Sequence, residues 1–207
     1  MKNSFNKKIL EKAYEWIKYN QKIVIITVVE TWGSSPKPIA SKMIVNENKE
    51  FFGSVSGGCV ESFIIQESLD IIKKNKLFKI KKFKVSDESA WNVGLSCGGE
   101  ITVYFKEINF KEKIFEQIIQ KKKNKLEFAV LTNLSTGENE IFEEDKTLNK
   151  NFEKFVNQIN FYYRSKKNGI IKDSNIFIEC YNNPIKVIIV GAVHIAQYFT
   201  DFADKFD

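Results

Sequence analysis

Seven consecutive β-branched residues, Ile23-Val24-Ile25-Ile26-Thr27-Val28-Val29, leave few folds open to this chain. Side chains branched at Cβ are stiff about χ1 and fit the pleated surface of a strand. No polar residue alternates with them, so the strand they form is buried on both faces and each face needs a cover. One cover lies just upstream. Phe5, Ile9, Ala13, Trp16 and Ile17 recur at helical spacing over residues 5–19 and define one apolar face of an amphipathic helix. A helix that runs into a doubly buried strand points to the α/β class.

Composition excludes several alternatives. A 43% hydrophobic content with 18 Phe supplies a sizeable core, which disfavours a disordered chain. The formal charge is +6, yet Arg164 is the sole arginine and the lysines are dispersed among Ile, Asn and Glu. A nucleic-acid surface gathers its cations with aromatics and arginines, so a solvated lysine-biased surface is expected instead. The N-terminal residues lack an apolar signal core, and no apolar run is long enough to span a bilayer. Three cysteines in such a chain argue against a disulfide framework, and the cytoplasm is the expected location. His194 is the single histidine, which rules against a Ser-His-Asp triad or a multi-histidine metal site.

After the buried strand comes Thr31-Trp32-Gly33-Ser34-Ser35-Pro36-Lys37-Pro38, a loop by composition. It follows the C-terminal end of a buried strand, where α/β sheets place ligand crevices. Its hydroxyls, its N–H groups and Lys37 offer a grip for an anionic ligand; an ordinary connection is the competing reading. Residues 42–45 and 50–55 predict a hairpin that delivers the chain into Gly53-Ser54-Val55-Ser56-Gly57-Gly58-Cys59-Val60-Glu61, and a helix is predicted over 60–74. The first N–H groups of a helix lack intrahelical acceptors, so this turn can hold an anion or lower the pKa of the Cys59 thiol. A tight turn that needs glycine for positive φ is the plainer alternative. Glu61 stands equally well as a helix-start carboxylate and as a functional one.

A half-exposed strand over 77–85 leads to a long segment, 86–100, that ends in Cys97-Gly98-Gly99-Glu100. A strand over 101–105, a helix over 111–123, a strand pair around Ser135-Thr136-Gly137, a helix over 147–163 and a strand over 176–181 follow. From Ile185 to Ala196 an apolar strand, a glycine turn at Gly191 and a helix resemble the opening of a dinucleotide fold, although Val193 and Gln197 stand where further glycines belong.

Two mirrored clusters, Gly57-Gly58-Cys59 and Cys97-Gly98-Gly99, say more together than either does alone. With Thr31-Trp32-Gly33-Ser34-Ser35-Pro36, Met43, Ser86-Asp87-Glu88 and Trp91-Asn92-Val93-Gly94-Leu95-Ser96, they resemble the XdhC/CoxI family in order and spacing. Members are accessory factors of xanthine dehydrogenase and related molybdenum hydroxylases. The resemblance implies a mixed-sheet XdhC/CoxI-like domain over 1–107, an α+β connector over 108–183, and the first βα unit of an incomplete Rossmann-like domain over 184–207. It further implies a maturation chaperone rather than a catalyst. Such a factor binds the molybdenum cofactor, assists its sulfuration and hands it to a xanthine dehydrogenase-like apo-enzyme, with a cysteine desulfurase and a second copy of the chain as further partners. Cofactor contacts are then expected from Gly33, Ser34, Ser35, Lys37, Gly57, Gly58, Cys59, Glu61, Cys97, Gly98 and Gly99. Cys97 reads either as a second sulfur ligand or as a small buried residue of a glycine turn. The family's first loop usually reads Pro-Arg-Pro-Pro-Gly; here Lys37 replaces the arginine and loses its bidentate fork. A nucleotide-dependent oxidoreductase with redox-active cysteines is the competing function.

Overall fold

The computed structural model describes residues 2–35, 37–84, 99–108, 113–144, 146–183, 187–191 and 193–203. Helix α1 (Lys2–Lys18) precedes β1 (Ile23–Trp32), and β2 (Lys42–Asn46) and β3 (Phe51–Gly53) form the expected hairpin. Helix α2 (Glu61–Lys74) then crosses to β4 (Phe78–Lys84), which pairs with β5 (Glu100–Ile108). These five strands make one sheet in the order β3-β2-β1-β5-β4. After α3 (Lys113–Lys123) comes a second sheet, β7-β6-β9-β8, from β6 (Phe128–Asn133), β7 (Asn139–Phe142), β8 (Gly169–Ile170) and β9 (Ile176–Tyr181). Two helices, α4 (Lys150–Glu153) and α5 (Val156–Arg164), stand where one helix over 147–163 is expected.

The α/β class holds, and β1 is buried at all seven positions from Ile23 to Val29. Where a mixed sheet is expected, every described pairing is antiparallel. Burial of both faces requires two covers, and it does not require parallel neighbours. One face of β1, with Val24, Ile26 and Val28, packs with Met43, Val45, Val103 and Phe105 beneath Ile64, Ile71 and Ile72 of α2 and Val60 just before it. The other, with Ile23 and Ile25, meets Ile9, Leu10, Ala13 and Trp16 of α1, Phe115 and Ile118 of α3, and Phe128, Val130 and Tyr181 of the second sheet. The far face of that second sheet, with Ala129, Leu131 and Ile178, is closed by Phe152 of α4 and Ile159 of α5. Helix α3 and the second sheet thus contribute, with α1, to the cover over the Ile23 and Ile25 face of β1.

Glu67 on α2 pairs with Lys79 and Lys81 of β4, which ties the helix across the sheet. Asn75 ends α2 in the left-handed region (φ 48°) and its N–H caps Ile71 and Ile72 carbonyls.

Between the sheets lies a buried ion pair. Lys42 Nζ is 2.8 Å from a Glu179 carboxylate oxygen and donates to Thr27 Oγ1 at 3.0 Å. All three residues are buried. Tyr181 is buried beside them; burial first, then the Glu179 charge and their hydrogen bond, push its phenol pKa well up.

The chain after residue 184 corrects one expectation. Residues 187–190 form no strand, and Ile188 and Val190 are 87% and 96% exposed. Helix α6 (His194–Ala203) forms as its periodicity predicts but buries none of its residues. An apolar run becomes a buried strand only when a neighbour takes its hydrogen bonds and another layer covers it, and neither described sheet does so here.

Candidate functional site

β3 stops at Gly53, whose partner is Met43; Ser54 N–H makes the next bond, to the Lys42 carbonyl at 3.1 Å. The chain then turns through residues 54–60 before α2 begins. Gly57 and Gly58 both have positive φ, 82° and 121°, a region that costs an L-residue strain. At Gly58 an added Cβ would meet nothing within 4 Å, so the requirement there is conformational, not spatial.

What holds the turn is Glu61. Its carboxylate is buried, points back out of the helix and accepts from six donors. Ser54 Oγ donates at 2.6 Å, and the N–H groups of Val55, Ser56, Gly58 and Val60 donate at 3.2, 2.9, 2.9 and 3.2 Å. Ser56 Oγ completes the set with a short contact. The serines also serve as acceptors: Ser54 Oγ takes the Gly57 N–H at 2.9 Å and Ser56 Oγ takes the Val60 N–H at 3.0 Å. Val60, the N-cap of α2, contributes no side-chain cap, so Glu61 and the serines satisfy donors that a cap would otherwise take. Burial alone would raise the Glu61 pKa; the bonds from Ser54 and Ser56 override it and bring the value to about 2. The carboxylate is therefore ionised throughout the neutral range.

This arrangement alters the meaning of the helix start. Donors that sequence reasoning offers to an external anion are already filled from within the chain. The signal for it is present in the sequence: Glu61 follows Gly58 by three residues, the spacing at which a capping-box glutamate reaches back to an N–H. Ser54 and Ser56 add the two hydroxyls.

Cys59 emerges from this turn half-buried, with its body against the apolar cluster beneath α2. Cys180 differs. It is buried on β9 with its thiol toward the Lys167 carbonyl at 3.3 Å, and burial, assisted by the Glu179 charge, pushes its pKa up to about 12. Of these two thiols, only Cys59 is placed for chemistry with an external group. Cys97 and Gly98, with the rest of 85–98, lie outside the described residues, as does Pro36.

Gly99 is described, and its position is informative. It precedes Glu100, which pairs with Trp32 at the far end of β1. A Cβ on Gly99 would stand 2.8 Å from the Ser34 carbonyl oxygen and 3.2 Å from that of Trp32. Gly99 therefore abuts the Gly33–Ser35 loop, backbone to backbone, and only glycine permits the approach. Gly33 and Ser34 are exposed, and Ser35 Oγ donates to the Lys37 carbonyl at 2.8 Å. Gly99→Ala is expected to lower the urea midpoint by an amount equivalent to about 1–3 kcal/mol, the usual penalty of overpacking, because the contacting atoms are main chain and cannot swing aside. Trp32, 68% exposed at the rim of this loop, is a site-edge residue that spacing arguments do not single out.

The loop after β1, the turn after β3 and the start of β5 all lie at one end of the first sheet, as the antiparallel register requires. Among the described residues, no three His, Cys, Asp or Glu side chains converge as a metal site. No described helix is long and apolar enough to cross a membrane.

Residues 16–81, from the end of α1 into β4, match the model of the XdhC and CoxI family. This segment is similar to that family. It contains Gly33, Ser34, Ser35, Lys37, Gly57, Gly58, Cys59 and Glu61, whereas Cys97, Gly98 and Gly99 fall beyond it. Over 96 residues, 46% of this chain, the sequence is 32% identical to the molybdenum cofactor insertion chaperone PaoD of Escherichia coli (strain K12). A stretch of equal length is 28% identical to the uncharacterized protein YqeB of the same organism. The matched parts amount to 29% of PaoD and 17% of YqeB, so the chain spans less than a third of either relative. In three dimensions the chain superposes on a structure described as a xanthine dehydrogenase from Bacillus halodurans. The TM-score is 0.61 over 84% of this chain and 52% of that one, at 18% identity, a likeness of fold.

Proposed function

We propose that this chain is an accessory factor of the XdhC/CoxI type that binds the molybdenum cofactor and assists its sulfuration and insertion into a xanthine dehydrogenase-type molybdenum hydroxylase. The observation that carries the reading is Cys59, half-exposed on a turn that Glu61 holds on both sides of it, through Gly58 and Val60, inside the segment that matches the family. The likeness of 96 residues of the chain to PaoD supports it.

The residues suit the chemistry of that cofactor, a phosphorylated pterin whose metal is bound through thiolates. A thiol is a soft ligand of the type such a metal or its sulfur prefers. The loop at Gly33 and Ser34, both exposed, and the half-buried Lys37 offer polar groups and a cation to the phosphate. Gly57 and Gly58, exposed and without side chains, leave room beside the sulfur. In this reading the chain holds the cofactor and releases it, with no turnover of its own. A cysteine desulfurase as sulfur source, and self-association through the exposed apolar side chains of 187–203, belong to the same reading.

The test is retention of the cofactor. Purified chain mixed with molybdenum cofactor and passed through gel filtration should carry pterin, detected by its fluorescence after oxidation. Cys59→Ala should reduce the pterin carried at least about tenfold, the loss typical when a ligand to a metal group is perturbed. Binding of a nicotinamide nucleotide with no pterin bound would overturn the proposal in favour of an oxidoreductase.

A further inference from the structure

The turn before α2 has the makings of an anion cradle, with four converging N–H groups and two hydroxyls. It is filled by the chain's own carboxylate. A ligand phosphate could enter only by expelling a buried, ionised group held by six hydrogen bonds, and each bond to a charged acceptor is among the stronger kinds. We infer that Glu61 is a positioning residue: its carboxylate clamps the 54–60 turn so that Cys59 is presented in one fixed place, and the cofactor meets the thiol and not the helix start.

Three features support this assignment. The first is direction: Glu61 reaches back to residues that lie before Cys59 (Val55, Ser56, Gly58) and to Val60 directly after it, so the cysteine is bracketed by clamped positions. The second is the pair of glycines, which without the clamp would leave this turn the most freely rotating part of the site. The third is that Ser54 and Ser56 each donate to Glu61 while accepting a turn N–H, so removal of the carboxylate would unseat both serines as well. A clamp of this kind fixes the reactive group before the ligand arrives. The consequence for ligand class is specific. Binding energy comes from sulfur and metal at Cys59, while the phosphate is left to groups outside this turn.

The inference rests on the proposed cofactor role, and the test separates the two. Glu61→Ala removes the atoms of one acetate ion, so acetate can refill the gap; Glu61→Gln fills the space with an amide that cannot accept from all six donors. Full-length wild type and both variants are compared in two assays, cofactor retention by gel filtration and alkylation of Cys59 by iodoacetamide followed at the peptide level. Both variants should retain at least about tenfold less pterin than wild type. In Glu61→Ala, added acetate should restore retention and return the Cys59 alkylation rate to the wild-type value; in Glu61→Gln it should do neither. Far-UV circular dichroism establishes that each variant is folded. Wild-type retention by folded Glu61→Ala, or an absence of any acetate effect on its Cys59 alkylation, overturns the inference. A wild-type chain that carries no pterin sinks the cofactor reading alone, since acetate-dependent alkylation of Cys59 in Glu61→Ala then still upholds the clamp. Inorganic phosphate serves as a control: it should not alter Cys59 alkylation in wild type, and an effect there would show the cradle open to outside anions and overturn the inference.

Discussion

Lys42→Met is expected to destabilise the chain by about 3–5 kcal/mol, the largest effect of any single substitution considered. The change strands Glu179 between the two sheets with its charge unmatched, and it removes the bond to Thr27. Desolvation is the reason for the size of the effect. The 2.8 Å pair is largely shielded from water, so either charge alone must be neutralised or hydrated at the expense of packing. Glu179→Leu in the same background should recover most of the loss, because an apolar pair avoids the penalty that an orphaned ion incurs. Urea denaturation of the two single variants and the double variant measures both statements. Equal midpoints for wild type and Lys42→Met would show that the pair contributes nothing to the union of the sheets.

The second large effect concerns pH. Glu61 holds its carboxyl at about 2 when folded, against 4.5 without its partners. The native state therefore binds that proton more weakly than the unfolded chain does, and stability falls wherever the unfolded state takes up more protons. The contribution is complete above the ordinary value and is lost as pH falls from about 4.5 through about 2. The difference between the two values corresponds to about 3 kcal/mol. Glu61→Gln has no such proton to lose, so its urea midpoint should decline less steeply than that of wild type between neutral pH and about pH 3. Glu67 and Glu143, whose pKa values their lysine partners also lower, contribute to acid lability in both proteins, and the comparison with Glu61→Gln subtracts them. Parallel pH profiles for the two would remove Glu61 from the account.

Much of this fold is legible from side-chain order. The β-branched run of β1, the apolar face of α1, the β2–β3 hairpin and the dipole-matched ends of α2 are each local decisions, made by χ1 stiffness, periodicity, turn residues and charge. The mirrored glycine-cysteine clusters likewise carry enough order and spacing to point to the family that matches residues 16–81. Strand partnership is less accessible. Ile185 to Val190 has the composition of a buried strand as clearly as β1 does, yet residues 187–190 are unpaired and exposed. What separates the two is whether other elements arrive to accept hydrogen bonds and exclude water, which composition does not encode.

The 54–61 turn divides along the same line. By itself the sequence determined that glycine, serine and cysteine sit between a strand and a helix start, and that a carboxylate follows Gly58 at capping distance. Residue types and spacing suffice for that, because backbone freedom and helix polarity are local properties. Only the tertiary structure decided that Glu61 turns back, takes the N–H groups of Val55, Ser56, Gly58 and Val60, and converts an apparent anion site into the support of a half-exposed thiol. The same is true of Gly99 against Ser34 and of Lys42 against Glu179. Each joins residues far apart in the chain, and such partners are chosen by the packing of layers, which balances burial against the loss of water from every polar group at once.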